Sequence, residues 1–194
     1  MKTKQSTFQL VLTAIFIAII ILQSFVPLLG NIPLVVLDIT IIHVTVIVGA
    51  IVLGEKTGLL LGIVWGICSM LRAYMGTNAI SFLVFSNPVI AIVPRALVGY
   101  LSGVVYRLLQ KTPKVAMSVA GVVGSLTNTV GVLSLIYFLV GSTYAEKIGQ
   151  TMSALPALLM GIVGTNGVPE AIASAILTPI IASVLLTIAK KRKG

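Results

Sequence analysis

The 194-residue chain is 58% apolar and only 9% charged, with a mean hydropathy of +1.15. A soluble domain carries about 25% charged residues and at this size leaves roughly a third of its surface wet, so composition excludes a soluble enzyme and a disordered chain and makes the bilayer the solvent. The net charge of +9 suits nucleic acid only if the basic residues form a stripe interleaved with aromatics. They sit instead at the ends of apolar segments, and nucleic acid is not an expected partner.

A crossing needs about 20 apolar residues, and the pattern predicts an all-α membrane protein: six transmembrane helices in one compact bundle covering residues 1–194. The first helix covers residues 8–29 and ends at Pro27 and the turn signal Gly30-Asn31-Ile32-Pro33. Lys2 and Lys4 precede it without a small-residue cleavage site after it, so it reads as a membrane helix and not as a removable signal. The second, 34–53, stops at Gly54-Glu55-Lys56-Thr57-Gly58, and the third covers 59–74. The fourth, 88–109, is closed by 110–114; the fifth covers 115–140 and the sixth 168–189. The less apolar stretches 75–87 and 141–167 are predicted as long loops of the kind that carry function. Within the second, 155–163 is an apolar run too short to span, either re-entrant or lying against the bundle.

Six crossings put both termini on one side, together with the loops at 54–58 and 107–114. That side collects Lys2, Lys4, Lys56, Arg107, Lys111, Lys114, Lys190, Lys191, Arg192 and Lys193, whereas the opposite loops hold only Arg72 and Lys147. The positive-inside rule then predicts a multi-pass cell-membrane protein with cytoplasmic N- and C-termini.

Polar residues at membrane depth are the site candidates, because each is costly unless something pairs with it. Arg95 follows Pro94 about eight residues into the fourth span, roughly 12 Å below its outer end. Pro94 frees a backbone carbonyl one turn earlier, which is tolerated where helix and cavity re-satisfy it. Arg95 either pairs internally with Asp38 or Glu170 or faces an outward cavity as an anion receptor, its planar fork matching a carboxylate at two points. Asn128, in Ser125-Leu126-Thr127-Asn128-Thr129, carries donors and an acceptor for an amide or hydroxyl, or bonds a neighbouring helix. Trp65, the single tryptophan, lies midway along the third span, where it fills core or walls a ligand. His43 is a further candidate, with a satisfied interior histidine as its ordinary reading. Asn78, Asn87 and Asn166 lie in the outer loops or at their edges, where most such residues are solvated; Asn87 completes the candidate set. Asp38 and Glu170 open the second and sixth spans, and an acid after Pro169 is an ordinary helix start.

The single cysteine, Cys68, excludes an internal disulfide and reads as an inert buried thiol. With one histidine and no nearby cysteine, no metal site is expected. There is no nucleophile–base pair, phosphate loop or carboxylate dyad placed for catalysis, so the chain is read as no enzyme and as binding no cofactor. Active transport would draw on an ion gradient or on other subunits, and residues 1–97 and 98–194 show no convincing repeat of the ion-coupled kind. Small residues form strips. Ala14 and Ala18 stand isolated among large side chains on the first span, where another backbone can approach, while Gly49, Ala50, Gly54, Gly58, Gly62 and Gly66 suit packing inside the bundle.

These pieces together resemble the substrate-binding S component of an energy-coupling factor (ECF) vitamin transporter. The resemblance covers nearly the whole length and rests on size, on six spans, on Ala14 and Ala18, on NPVIAIVPRALVGYLSG in the fourth span, on GSLTNTVGVL in the fifth and on NGVPEAIASAILTP opening the sixth. It implies a vitamin held near the outer face. It also implies docking through the first-span small residues onto a transmembrane T component that carries two ATPase subunits, which use the ATP. Arg95, Trp65 and Asn128 offer one cation, one flat wall and one amide, which suits pantothenate, and the chain looks similar to pantothenate-type S components. Pyridoxine or hydroxymethylpyrimidine suits Trp65 and Asn128 as a flat neutral ligand, riboflavin would need more aromatic wall, and the readings outside the family are a self-sufficient secondary carrier of a small organic anion and a membrane-embedded assembly or scaffolding protein.

Overall fold

The computed structural model describes residues 2–26, 29–32 and 39–191. Asp38 lies outside the described residues, so its expected role at a span start or beside Arg95 is not addressed by them. Among the described residues nine α-helices follow in order: α1 Lys2–Phe25, α2 Ile42–Leu53, α3 Glu55–Met75, α4 Ala79–Phe85, α5 Pro88–Leu108, α6 Pro113–Leu135, α7 Gly141–Lys147, α8 Leu155–Ile162 and α9 Val168–Lys191. Ahead of α2, β1 (Asn31–Ile32) and β2 (Ile39–Thr40) pair antiparallel with Asn31 opposite Thr40.

Among the described residues five helical segments are long and apolar enough to cross a membrane: Thr7–Phe25, Glu55–Met75, Pro88–Leu108, Pro113–Lys147 and Leu155–Ala189. The sixth expected span, 34–53, is different. Its helix begins only at Ile42, because Thr40 is held in the ladder and its hydroxyl accepts the Ile42 N–H at 3.3 Å, starting the helix there. At 1.5 Å per residue, 12 residues reach ~18 Å, short of the ~30 Å hydrocarbon layer. α2 is apolar on every side and is accordingly enclosed, touching α1, α3, α5, α6 and α9.

The two stretches read as long loops are largely helical. Asn78 caps α4 by accepting the Ile80 and Ser81 N–H groups at 2.9 and 3.0 Å. α6 runs through a π turn, Ile136–Val140, into α7, and α8 runs through a second, Val163–Gly167, into α9. The apolar run at 155–163 forms α8, which continues through the π turn into α9. Pro156 in its first turn starts it without costing a hydrogen bond.

Close backbone approach between α3 and α5 fixes the centre of the molecule. A Cβ on Gly62 would collide with the Arg95 carbonyl, one on Gly99 with the Gly58 carbonyl, and one on Gly66 would lie 2.6 Å from the Ile92 Cα. Gly58, Gly62 and Gly66 thus pack inside the bundle, as the sequence suggested, whereas Gly54 faces open space at the turn between α2 and α3. Two apolar clusters result. One gathers on α2 with Phe16, Ile20, Leu61, Trp65 and Val98. The other joins Val84, Ile90, Val132, Ile136, Tyr144 and Leu155 at the end where α5 begins.

Candidate functional site

Where the two clusters meet, the bundle leaves an open-mouthed cavity. Its walls differ in character. α3, α4 and α5 supply Trp65, Ser69, Arg72, Ser81, Phe85 and Arg95. β2, the second half of α6, and the π turn and first turn of α9 supply Thr40, Asn128, Thr129, Asn166 and Glu170, with Val132, Leu133 and Ile162 as apolar floor. One wall is cationic and aromatic, and the other is built of hydroxyls, amides and one carboxylate.

Arg95 is 5% exposed. Pro94 has no N–H to give to the Ile90 carbonyl one turn back, and the Arg95 guanidinium takes that role, its Nη1 donating to Ile90 O at 2.8 Å. The guanidinium carbon lies 5.2 Å from the Trp65 ring centroid and 4.6 Å from that of Phe85. The charge is thus flanked by two π faces, which favour it electrostatically. Among the described residues no carboxylate pairs with Arg95, and its Nε is buried without a partner. Internal pairing with Glu170 is not made. A buried cation aimed into a cavity with donor capacity to spare is an anion site in the making.

Glu170 is 6% exposed, and its Oε1 accepts the Thr40 N–H at 2.7 Å. This acid does more than open a helix: it ties α9 to the strand before α2 and faces the cavity. Asn128 is buried with Oδ1 unpartnered, so its amide is not used up in packing.

The cavity brings together Arg95, Trp65 and Asn128. It does not bring in His43 or Asn87. His43 is buried in the first turn of α2, its Nε2 sharing a 2.6 Å hydrogen bond with Ser174 of α9. Asn87 caps α5, accepting the Val89 N–H at 2.9 Å. Sequence reading passed over Glu170, Asn166, Ser69, Arg72 and Phe85 as cavity residues. Ser69 and Arg72 carried a usable signal, since they follow Trp65 at i+4 and i+7 on one helical face. Phe85 carried none, lying in a stretch that looked like loop.

The small residues of the first span are also placed. Phe16, Ile20 and Ser24 are buried at four-residue spacing, and Ala14 and Ala18, about 200° away round the helix, are exposed with Ile15 and Ile19. The alanines are therefore not used in this bundle.

Residues 8–182 match the family model for the ECF transporter, substrate-specific component. The chain is 35% identical over 200 residues to the pantothenate transporter PanT of Leuconostoc mesenteroides subsp. mesenteroides, with 97% of each chain covered. It is 36% identical over 199 residues to the pantothenic acid transporter PanT of Lactococcus lactis subsp. cremoris, with 95% of each covered. With the match running over residues 8–182 and the relatives covered over nearly their whole length, the chain belongs to the ECF transporter substrate-specific components.

Proposed function

We propose that the chain binds pantothenate from outside the cell and delivers it as the substrate-specific subunit of an ATP-driven importer. The observation that carries this reading is Arg95: a buried guanidinium lining an open cavity, stacked on Trp65 and Phe85, held by Ile90 O and paired with no carboxylate among the described residues. Pantothenate has one carboxylate, one amide and two hydroxyls. In this reading Arg95 receives the carboxylate, Asn128 the amide, and Trp65 and Phe85 the apolar flank. The Arg95 guanidinium, paired with no carboxylate among the described residues, favours an anion over pyridoxine or hydroxymethylpyrimidine. The names of the two relatives support the same choice.

The chain makes six crossings, the five long segments and the enclosed α2, which is tolerable at membrane depth because protein covers it. Both termini are cytoplasmic, since the α2–α3 and α5–α6 connections with Lys56, Lys111 and Lys114 then share their side. The cavity, near the start of α5 and of α9, opens on the opposite, outer side. The exposed Ala14 and Ala18 dock on a transmembrane T component bearing two ATPase subunits, which use the ATP. His43 and Asn87 serve the site as bracing and capping residues.

Purification of the chain alone in detergent, followed by mass spectrometry of co-purifying small molecules, tests the reading. Pantothenate should be recovered. Recovery of a neutral vitamin, or ATP-independent accumulation by the lone chain in liposomes, would replace it.

A further inference from the structure

Glu170 is a costly residue for a site that takes an anion, and its geometry says what the cost is for. The side chain is 6% exposed and lines the cavity. Its Oε1 is fixed by the Thr40 N–H at 2.7 Å, and no basic side chain pairs with it among the described residues. One turn further along α9, Ser174 is held at 2.6 Å by His43. The Thr40 N–H thus holds the carboxylate, and the His43–Ser174 bond ties the same stretch of α9 to α2, which keeps Glu170 in place when an anion enters. An ionised carboxylate is an acceptor only, with room for about four hydrogen bonds, and Thr40 uses one. Against a ligand of the same charge sign it is tolerable only if donors face it.

We infer that Glu170 reads the hydroxyl end of the ligand and excludes ligands that carry a second anionic group there. This rests on the pantothenate reading and deepens it. The two walls orient the molecule: the carboxylate goes to Arg95 and the hydroxyls go to Glu170. Replacing a hydroxyl by a phosphate removes the donor and sets a like charge against a fixed carboxylate, so the site separates the free vitamin from its phosphorylated form by repulsion as well as by attraction.

The test is calorimetric titration of the detergent-purified chain and of Glu170→Gln with pantothenate, its two monodeoxy analogues and 4′-phosphopantothenate. Wild type should bind at least one monodeoxy analogue about 10- to 150-fold more weakly than pantothenate, the usual range for a hydrogen bond to a charged group. It should not bind the phosphorylated ligand detectably. Glu170→Gln keeps an acceptor for Thr40 but loses the charge; it should bind pantothenate about 10-fold more weakly and bind the phosphorylated ligand measurably. Where Glu170→Gln does not fold, Glu170→Asp stands in, and should lose hydroxyl discrimination while still rejecting phosphate. Wild type that binds both monodeoxy analogues like the parent, or a Gln variant that rejects phosphate as fully as wild type, overturns the inference. Failure of wild type to bind pantothenate at all overturns the pantothenate reading instead.

Discussion

Arg95 shows how one residue settles two debts of the backbone and the site together. Its Nη1 satisfies the carbonyl that Pro94 leaves open, and that bond holds the rest of the fork toward the cavity. A lysine keeps the charge but offers a point where the site presents a plane between Trp65 and Phe85. Arg95→Lys should therefore weaken pantothenate binding by about 10- to 150-fold, and Arg95→Ala by at least as much, in titrations of folded variants. Unchanged affinity in Arg95→Ala would remove it from the site. Arg95, Trp65 and Asn128 were legible in the sequence because each is expensive or unusual at membrane depth wherever the chain folds. Glu170 was not, since an acid after a proline is also what any helix start looks like, and its partner Thr40 lies 130 residues away.

Helices transmit these positions through close contact. Pro94→Ala restores the N–H that the Ile90 carbonyl lacks, so α5 should gain stability, in line with the ~3 kcal/mol disfavour of an interior proline. Arg95 then loses its anchor, and pantothenate binding should fall about 5-fold, the worth of roughly 1 kcal/mol of positioning. Thermal unfolding and titration of one variant read both effects, and unchanged affinity would show that the Ile90 bond does not position the fork. Gly62→Leu acts on the same pair of helices. Its Cβ would meet the Arg95 carbonyl, so α3 and α5 must part, and the variant should fail to elute as a monodisperse species in detergent. Hydropathy showed the long helices well, because a bilayer demands length. It could not show that α2 is short, because an enclosed helix is as apolar as a spanning one. Nor could it show that 141–167 is mostly helix, since Gly141, Gly149, Gly161, Gly164 and Gly167 read as loop although π turns carry the helices through part of that stretch.

For the whole molecule, the account separates two faces. The cavity belongs to α3, α5, α6 and α9, while the exposed alanines belong to α1, which packs on α2 and α3 through Phe16 and Ile20. Lipid tails are as apolar as leucine, so a partner helix gains by close packing at small residues more than by burying apolar surface. Ala14→Trp or Ala18→Trp should fold, keep pantothenate affinity within a few fold, and lose co-purification with the T component and ATPases. Equal loss of ligand binding would place the strip inside the bundle's own packing. Orientation has its own check. Cys68 is 5% exposed and should not react with an impermeant maleimide in intact cells, whereas Ser142→Cys on the exposed face of α7 should. Labelling of a cysteine added after Gly194 in intact cells would reverse the assigned sides.

The central claim is that this chain, alone and without nucleotide, holds pantothenate in the cavity between Arg95 and Glu170. Isothermal titration of pantothenate into the purified chain tests it most directly. Saturable binding of one pantothenate per chain, lost or weakened at least 10-fold in Arg95→Ala, is the predicted result. Absence of binding by the wild-type chain, or binding that Arg95→Ala leaves intact, would contradict it.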